Sequence, residues 1–433
     1  MADDSKKFSV AIVGGGICGL LCAIGLNKAG IRVDIFESAA KYGEVGAGVA
    51  IGPNAVRALK AFGVLDEVIS KSDEDGLTMK TFDYIYGTGD CDFIYHYPAR
   101  EDDDALAVHR ASFLEALVKF LDPNLTTAHF LKRCTSVTAS PTNASRSMLR
   151  FSDGTTHETD LVIGADGIRS IVRHTVVGEE RATRSLVYTN TVAYRGLVPL
   201  ETLKSLDIKT QLSPASLEWS GHNKHIVTFP IKKHTVLNVV AFVADNTIPL
   251  GSVTLPPGTP WVTPVPQQEL LDAYAGWSED ALKMLRCIEK PSKWSIFALD
   301  PPLESFVKGR VALVGDAAHA MLPHLGAGVG QGIEDTWVLT QLLAHSETNH
   351  SNLEAVLKAY DSLRVPRANF VLKGSIRAGR IYEGFGESGP SAEGIKNDIE
   401  GMYEKVWHHD LEGDVREAVT RLRAEGAICG GET

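Results

Sequence analysis

Residues 9–37 read SVAIVGGGICGLLCAIGLNKAGIRVDIFE, and this stretch decides the fold. Val10–Val13 is a short apolar run of the kind that fills a strand buried on both faces. Gly14, Gly16 and Gly19 follow in GxGxxG spacing. Those three glycines give a tight turn, close approach of backbone to a pyrophosphate, and close packing of helix on strand. Ala23 and Leu26 continue the buried face at helical period, Gly30 ends the helix, and Ile31–Phe36 is expected as the second strand. Glu37 falls at its carboxyl end, where a carboxylate accepts from both hydroxyls of an adenosine ribose. The order strand, turn, helix, strand, acid predicts a dinucleotide site. A 2′-phosphate would meet the acid, so NADP is disfavoured there while NAD and FAD remain.

The segment that follows points to a flavin. In KYGEVGAGVAIGPNAVRA, Gly46, Gly48 and Gly52 are expected in a loop that runs along an extended ligand, with Val49 and Ala50 contributing backbone contacts. An amphipathic helix is expected over Ala55–Phe62. Arg110 stands just before a helix whose apolar positions are Phe113, Leu114, Leu117 and Phe120, and it can pair with a phosphate. Asp153-Gly154 reads as a hairpin turn. After it, the strand Leu161–Ile163 runs into Ala165-Asp166-Gly167 and Arg169, which brings a polar loop towards the cofactor.

A third strand-to-turn junction lies in GRVALVGDAAHAMLPHLGAGVGQGIED, residues 309–335. Asp316 ends the strand Val311–Val314 and can accept from ribityl hydroxyls. Pro323 to Gly330 offer free backbone N–H groups, and a helix expected from about Gln331 aims its positive end at the flavin's pyrimidine ring.

Composition bounds the reading. With 433 residues, 44% hydrophobic and 22% charged, the chain can bury a large core of an ordinary globular enzyme. A net charge of −11 argues against nucleic acid or an anionic membrane as partner. The six cysteines show no paired ligand spacing, so no metal site is expected and a reducing, cytoplasmic setting is. Three glycines interrupt the apolar run from Ser9 to Leu26, which argues against a signal core.

Residues 186–300 change texture. NTVAYRGLV, HIVTFPI and TVLNVVAFVAD are β-rich runs, and TLPPGTPWVTPVP reads as a surface excursion. They predict an antiparallel sheet laid over the flavin, with residues 77–105 adding strands. From Asn352 the chain is helical, with a kink or break at Pro366.

GxGxxG with Glu37, the DG segment 164–169 and the GD segment 315–335 occur in the order and spacing of class A flavoprotein aromatic hydroxylases, and the chain resembles that family over nearly its whole length. GEVGAGVAIGPNAVRA, AYRGLVP, HIVTFPI, LNVVAFVAD and GDAAHAMLPHLGAGVGQGIED look most like salicylate 1-hydroxylases, with fungal dearomatising hydroxylases as a sister group. The resemblance implies an α/β fold: a Rossmann-like FAD-binding domain (1–76, 106–185, 301–350), an antiparallel substrate sheet (77–105, 186–300) and a C-terminal helical region (351–433). It implies non-covalent FAD, held by Gly14, Gly16, Gly19, Glu37, Ala50, Arg110 and Asp316, with Gly328 and Val329 beneath the ring. NADH or NADPH then binds transiently as electron donor, since no second GxGxxG occurs.

The activity implied is monooxygenation of a small phenolic acid through a flavin C4a-hydroperoxide, decarboxylating hydroxylation of salicylate to catechol foremost. Dearomatising or hydroxynicotinate-type hydroxylation is the alternative within the class, and a flavin oxidase or dehydrogenase the alternative outside it. Phenol activation asks for a base or cation beside the hydroxyl. Arg195 and His324 are the catalytic candidates, with His225, Phe229, Met321, Leu322 and Pro323 as pocket walls, while His319 is expected to satisfy local structure. The dearomatising enzymes carry a tyrosine where this chain has Phe229, which favours the salicylate-type reaction. Partners are limited to the aromatic substrate and O₂, in a monomer or homodimer.

Overall fold

The computed structural model describes residues 8–43, 48–72, 76–79, 82–212 and 216–429. A six-stranded sheet runs in the order Val307–Lys308, Val311–Leu313, Leu161–Gly164, Val10–Val13, Val33–Phe36, Thr126–His129. Its first pair is antiparallel and every other pair parallel. The strands leading into the GD, DG and GxGxxG turns are therefore immediate neighbours. Their carboxyl ends open side by side, which is where parallel sheets bind ligands.

The helix Ile17–Lys28 is buried on nearly every side, between this sheet and the helix Gly328–Ala344. Gly25 makes the helix contact possible, because a Cβ there would lie 2.7 Å from the Thr340 side chain. The second strand begins at Val33 rather than Ile31, since the Ile31 N–H is spent on Leu26 O, closing the preceding helix.

An eight-stranded sheet forms the second layer: Val262–Pro264, Ser292–Leu299, Leu186–Pro199, Val236–Ala244, Lys224–Ile231, Ser216–Gly221, Phe82–Tyr86, Phe93–His96. Only the pair Ser216–Gly221 and Phe82–Tyr86 is parallel. The expected antiparallel sheet is present, and the Pro-rich excursion returns to it as the edge strand Val262–Pro264. Gly48–Ile51 differs from expectation. Instead of a loop it is a strand paired with Asp104–His109, in a three-stranded sheet completed by Thr78–Met79. Gly46 lies outside the described residues.

The long helix Leu353–Tyr382 runs unbroken through Pro366, where a break or kink was expected. Proline removes one backbone hydrogen bond. Buried guanidinium groups on both sides of it anchor the helix instead. Arg364 donates to Asp335 Oδ1 (2.8 Å) and Glu334 Oε2 (2.8 Å), and Arg367 donates to both Glu334 oxygens (3.0 and 3.1 Å). Asn54 adds a bond to Glu334 Oε1 at 2.6 Å. Asp335 Oδ2 accepts from the Gly315 N–H (2.8 Å) and lies 2.5 Å from His319 Nε2. The cluster thus fixes the GD turn, and His319 serves local structure as expected.

Burial alone would raise both carboxyls. Arg364 and Arg367 outweigh it and hold Glu334 at about 2, and His319 and Arg364 hold Asp335 below its ordinary value. Depressed folded-state values make the unfolded chain bind protons first, so this stability is complete above the ordinary 4.5 and lost as pH falls towards 2. The urea midpoint is expected to drop steeply across that window. An Arg364→Met variant, which loses much of the depression, is expected to show a shallower slope there.

Candidate active site

A cleft of about 310 Å³ follows the three turns, lined by Gly14, Gly16, Glu37, Arg110, Asp316, Gly328 and Val329 among others. Gly14 takes φ +103°, and a Cβ on it would lie 2.3 Å from Ala165 O, across the neighbouring DG turn. At Gly19 a Cβ would lie 2.0 Å from Gly14 O. Glu37 Oε2 accepts from the Gly15 N–H at 2.8 Å and Oε1 from the Ala39 N–H at 2.7 Å, which aims the carboxylate along the glycine turn.

In the DG segment, Asp166 works as a helix cap. It accepts from Ser170 Oγ (2.6 Å) and from the N–H groups of Ile171 (2.7 Å) and Val172 (3.2 Å). Burial still raises its carboxyl above the ordinary value. Arg169, beside it, stacks its guanidinium 3.9 Å over Trp261 of the Pro-rich excursion and ties the cleft to the second sheet.

Across the 321–328 loop from this cleft, His324 is buried and edge-on to two rings, His225 at 4.9 Å and Phe242 at 5.1 Å. Gly379 makes room for it, since a Cβ there would fall 2.5 Å from the imidazole. His324 Nδ1 has no hydrogen-bond partner among the described residues. Burial, aided by the His225 ring, pushes His324 down to about 3, so it is neutral at pH 7. His225 Nδ1 lies 3.0 Å from Glu383 Oε1, and Asn246 Nδ2 donates to Glu383 Oε2 at 2.6 Å. A second cleft of about 200 Å³ touches Leu322, His324, Asn246 and Glu383.

Comparison with known proteins places this geometry in a family. Residues 7–214 and 287–375 match the FAD binding domain family. A salicylate hydroxylase from Pseudomonas putida is 40% identical over 420 residues, 95% of this chain and 94% of its own. The chain belongs to the FAD-dependent monooxygenases of the salicylate hydroxylase type. A 6-methylsalicylate 1-monooxygenase from Aspergillus terreus is 35% identical over 433 residues, 96% of this chain and 92% of that protein. A solved salicylate hydroxylase–substrate complex aligns with a TM-score of 0.84 at 32% identity, over 95% of this chain and 98% of that one. The fold is that of the FAD-dependent aromatic hydroxylases.

The monooxygenase's cleft suits FAD on its own geometry: a glycine turn packed so closely that a Cβ at Gly14 or Gly19 would strike neighbouring backbone, an acid at one end and a helix start at the other. That helix begins at Gly328, three residues before the expected Gln331, because the Gln331 N–H already bonds Ala327 O (2.9 Å). Gly328 and Val329 therefore sit in its first turn, where backbone N–H groups have no partner within the helix. Ala50 is not gathered with the others. Its strand pairs it with Ala107, its side chain is exposed, and it does not line the cleft.

Of the pocket candidates, His225, Leu322 and His324 are brought together, and Met321 packs in the aromatic cluster of Tyr84 and Tyr382. Pro323 is exposed and Phe229 half-buried, opposite Asn238. Arg195 lies on the same sheet face as His225, but its guanidinium rests 5.1 Å over Trp294 rather than against His324. Glu383, Asn246 and Gly379 went unforeseen. They come from three separate segments, and nothing in YEGFG or VADNT sets them apart.

Proposed function

We propose that this enzyme hydroxylates a small phenolic acid, with salicylate converted to catechol and CO₂ as the leading reaction and NADH or NADPH as the donor. The observation that carries the reading is a neutral, buried His324 whose Nδ1 is unpartnered, standing beside the first turn of the Gly328 helix. Bound FAD supplies electrons from NAD(P)H to O₂. The chain does the rest. Glu37 would hold the adenosine ribose, Arg110 a phosphate and Asp316 the ribityl chain, and the free N–H groups of Gly328 and Val329 at the helix start would stabilise negative charge on the reduced ring. His324 accepts the substrate's hydroxyl hydrogen bond at Nδ1, while Arg195 supplies positive charge from the sheet face. Burial keeps water from the reacting centre. Over the full reaction one oxygen atom enters catechol, the other leaves as water, and the carboxylate leaves as CO₂.

Phe229 has no hydroxyl to hold a phenolate, which supports this reading over dearomatisation. Purified holoenzyme offered a panel of phenolic acids is expected to oxidise NADH fastest with salicylate-type acids and to release catechol from salicylate. Peroxide as the sole product would contradict it. Glu37→Ala is expected to weaken FAD binding by about 10- to 100-fold, the worth of charge-assisted hydrogen bonds, in a flavin fluorescence titration.

A further inference from the structure

Two residues of the second cleft, His324 and Asn190, reach it from separate elements with polar atoms to spare. Asn190 is 8% exposed and takes a left-handed φ of +56°. It lies where the strand Leu186–Pro199 shifts register against Ser292–Leu299, between Tyr188 and Val192. Such bulges re-aim a side chain, often beside an active site. Asn190 Nδ2 donates to Pro249 O at 2.9 Å, which fixes Oδ1 as the acceptor end, and that oxygen has no partner among the described residues. Asn190 Oδ1 and His324 Nδ1 are thus two buried, unpartnered atoms on residues that line one cleft. Buried polar groups are ordinarily completed, so the cleft is built for a ligand with polar groups of its own.

The cleft's charges are unequal. Asp245 and Glu383 are its acids, and besides the neutral His324 its one basic side chain among the described residues is Arg380. Arg380 directly follows Gly379, whose missing side chain leaves room for the His324 ring. It stands exposed in the last turn of the helix Leu353–Tyr382. The other arginines of that helix, Arg364, Arg367 and Arg377, each meet a carboxylate. Arg380 meets none among the described residues, and its guanidinium lies 5.8 Å over Phe385. Glu383, three residues on, does not claim it, because both Glu383 oxygens are engaged by His225 and Asn246. Arg195 rests over Trp294 and does not line this cleft. An anion entering between Asp245 and Glu383 would be repelled unless its charge lay against Arg380.

We propose that Arg380 is a specificity-determining residue, its guanidinium pairing with the substrate's carboxylate in the second cleft while His324 takes the adjacent hydroxyl. The planar fork of an arginine offers a carboxylate two parallel N–H groups. Asn190 Oδ1, an acceptor, suits the hydroxyl end and turns the carboxylate towards Arg380. The inference rests on the phenolic-acid reading above and deepens it: the enzyme selects ionised ortho-hydroxy acids over neutral phenols of the same shape.

The test is a flavin-absorbance titration of the holoenzyme with salicylate and with salicylamide, which keeps the ring and hydroxyl but carries no charge. Wild type, Arg380→Gln and Arg380→Lys are compared. Arg380→Gln is expected to weaken salicylate binding about tenfold, the worth of a charge-assisted hydrogen bond, and to leave salicylamide unchanged. Arg380→Lys, which keeps the charge but not the fork, falls between. In wild type the salicylate affinity drops as salt is raised, and in Arg380→Gln that slope flattens. Equal effects on both ligands, or none on either, overturn the assignment and leave Arg380 serving only the helix end, where a cation complements the dipole. Should salicylamide bind too weakly to titrate, the salt slope for salicylate decides alone. If salicylate binds and turns over while Arg380→Gln matches wild type, only Arg380 is misassigned. If no phenolic acid perturbs the flavin or stimulates NADH oxidation, the functional reading fails first and this inference with it.

Discussion

Replacing Arg364 by methionine is expected to lower the unfolding free energy by about 3–5 kcal/mol, because it leaves two buried carboxylates short of their cation. That is a large share of the roughly 5–15 kcal/mol by which domains are stable. The guanidinium is wholly buried and bonds Glu334, Asp335 and Gln331. Through Asp335 it also holds the Gly315 N–H and hence the turn that presents Asp316. The variant should therefore show a lower urea midpoint and weaker FAD retention together. Pairing it with Asp335→Asn should recover part of the midpoint, since this removes one stranded buried charge while keeping an oxygen for the Gly315 N–H. A loss under about 1 kcal/mol in the single variant would show that the cluster relaxes or admits water, and that the helix is held by packing alone.

His324→Ala is expected to reduce coupled turnover by about 10- to 100-fold, the worth of one hydrogen bond that orients the substrate hydroxyl, with FAD binding unchanged. Gly379→Ala approaches the same ring from behind. Its added Cβ would sit 2.5 Å from the imidazole, so the ring or the helix must shift and kcat should fall without loss of flavin. Because His324 is pushed down to about 3, its own ionisation should leave no step in the kcat profile between pH 5 and 8. NADH consumption and product release, measured side by side, separate lost coupling from lost binding. Full coupled turnover in His324→Ala would remove the residue from the reaction and leave Arg195 as the candidate.

Much of the nucleotide half was legible in the sequence because it depends on local rules. Glycines at 14, 16 and 19, a strand before them and an acid at 37 are constraints spaced within one supersecondary unit. The GD and DG junctions were legible for the same reason, and sheet order then set all three side by side. What escaped depends on long-range packing. Ala50 was expected in a glycine-rich loop, yet Gly48–Ile51 pairs with a strand more than fifty residues later, which no local pattern announces. At Pro366 a kink or break was expected, and the helix continues through it, flanked by Arg364 and Arg367, which reach carboxylates on another helix. A signal did exist there: two adjacent acids inside the apolar helix GIEDTWVL, and two arginines at i and i+3 in RVPR, which are costly to bury unless they meet. Glu383 gave none, since an isolated glutamate ordinarily faces solvent.

With FAD bound, the chain is expected to insert one atom of dioxygen into a phenolic acid. Turnover of salicylate under O₂ carrying the heavy oxygen isotope, with the product weighed by mass spectrometry, tests it most directly. Catechol carrying a single heavy oxygen, formed with one NADH consumed and one CO₂ released, is the predicted result. NADH consumed with all the heavy oxygen in hydrogen peroxide, and salicylate recovered unchanged, would contradict it.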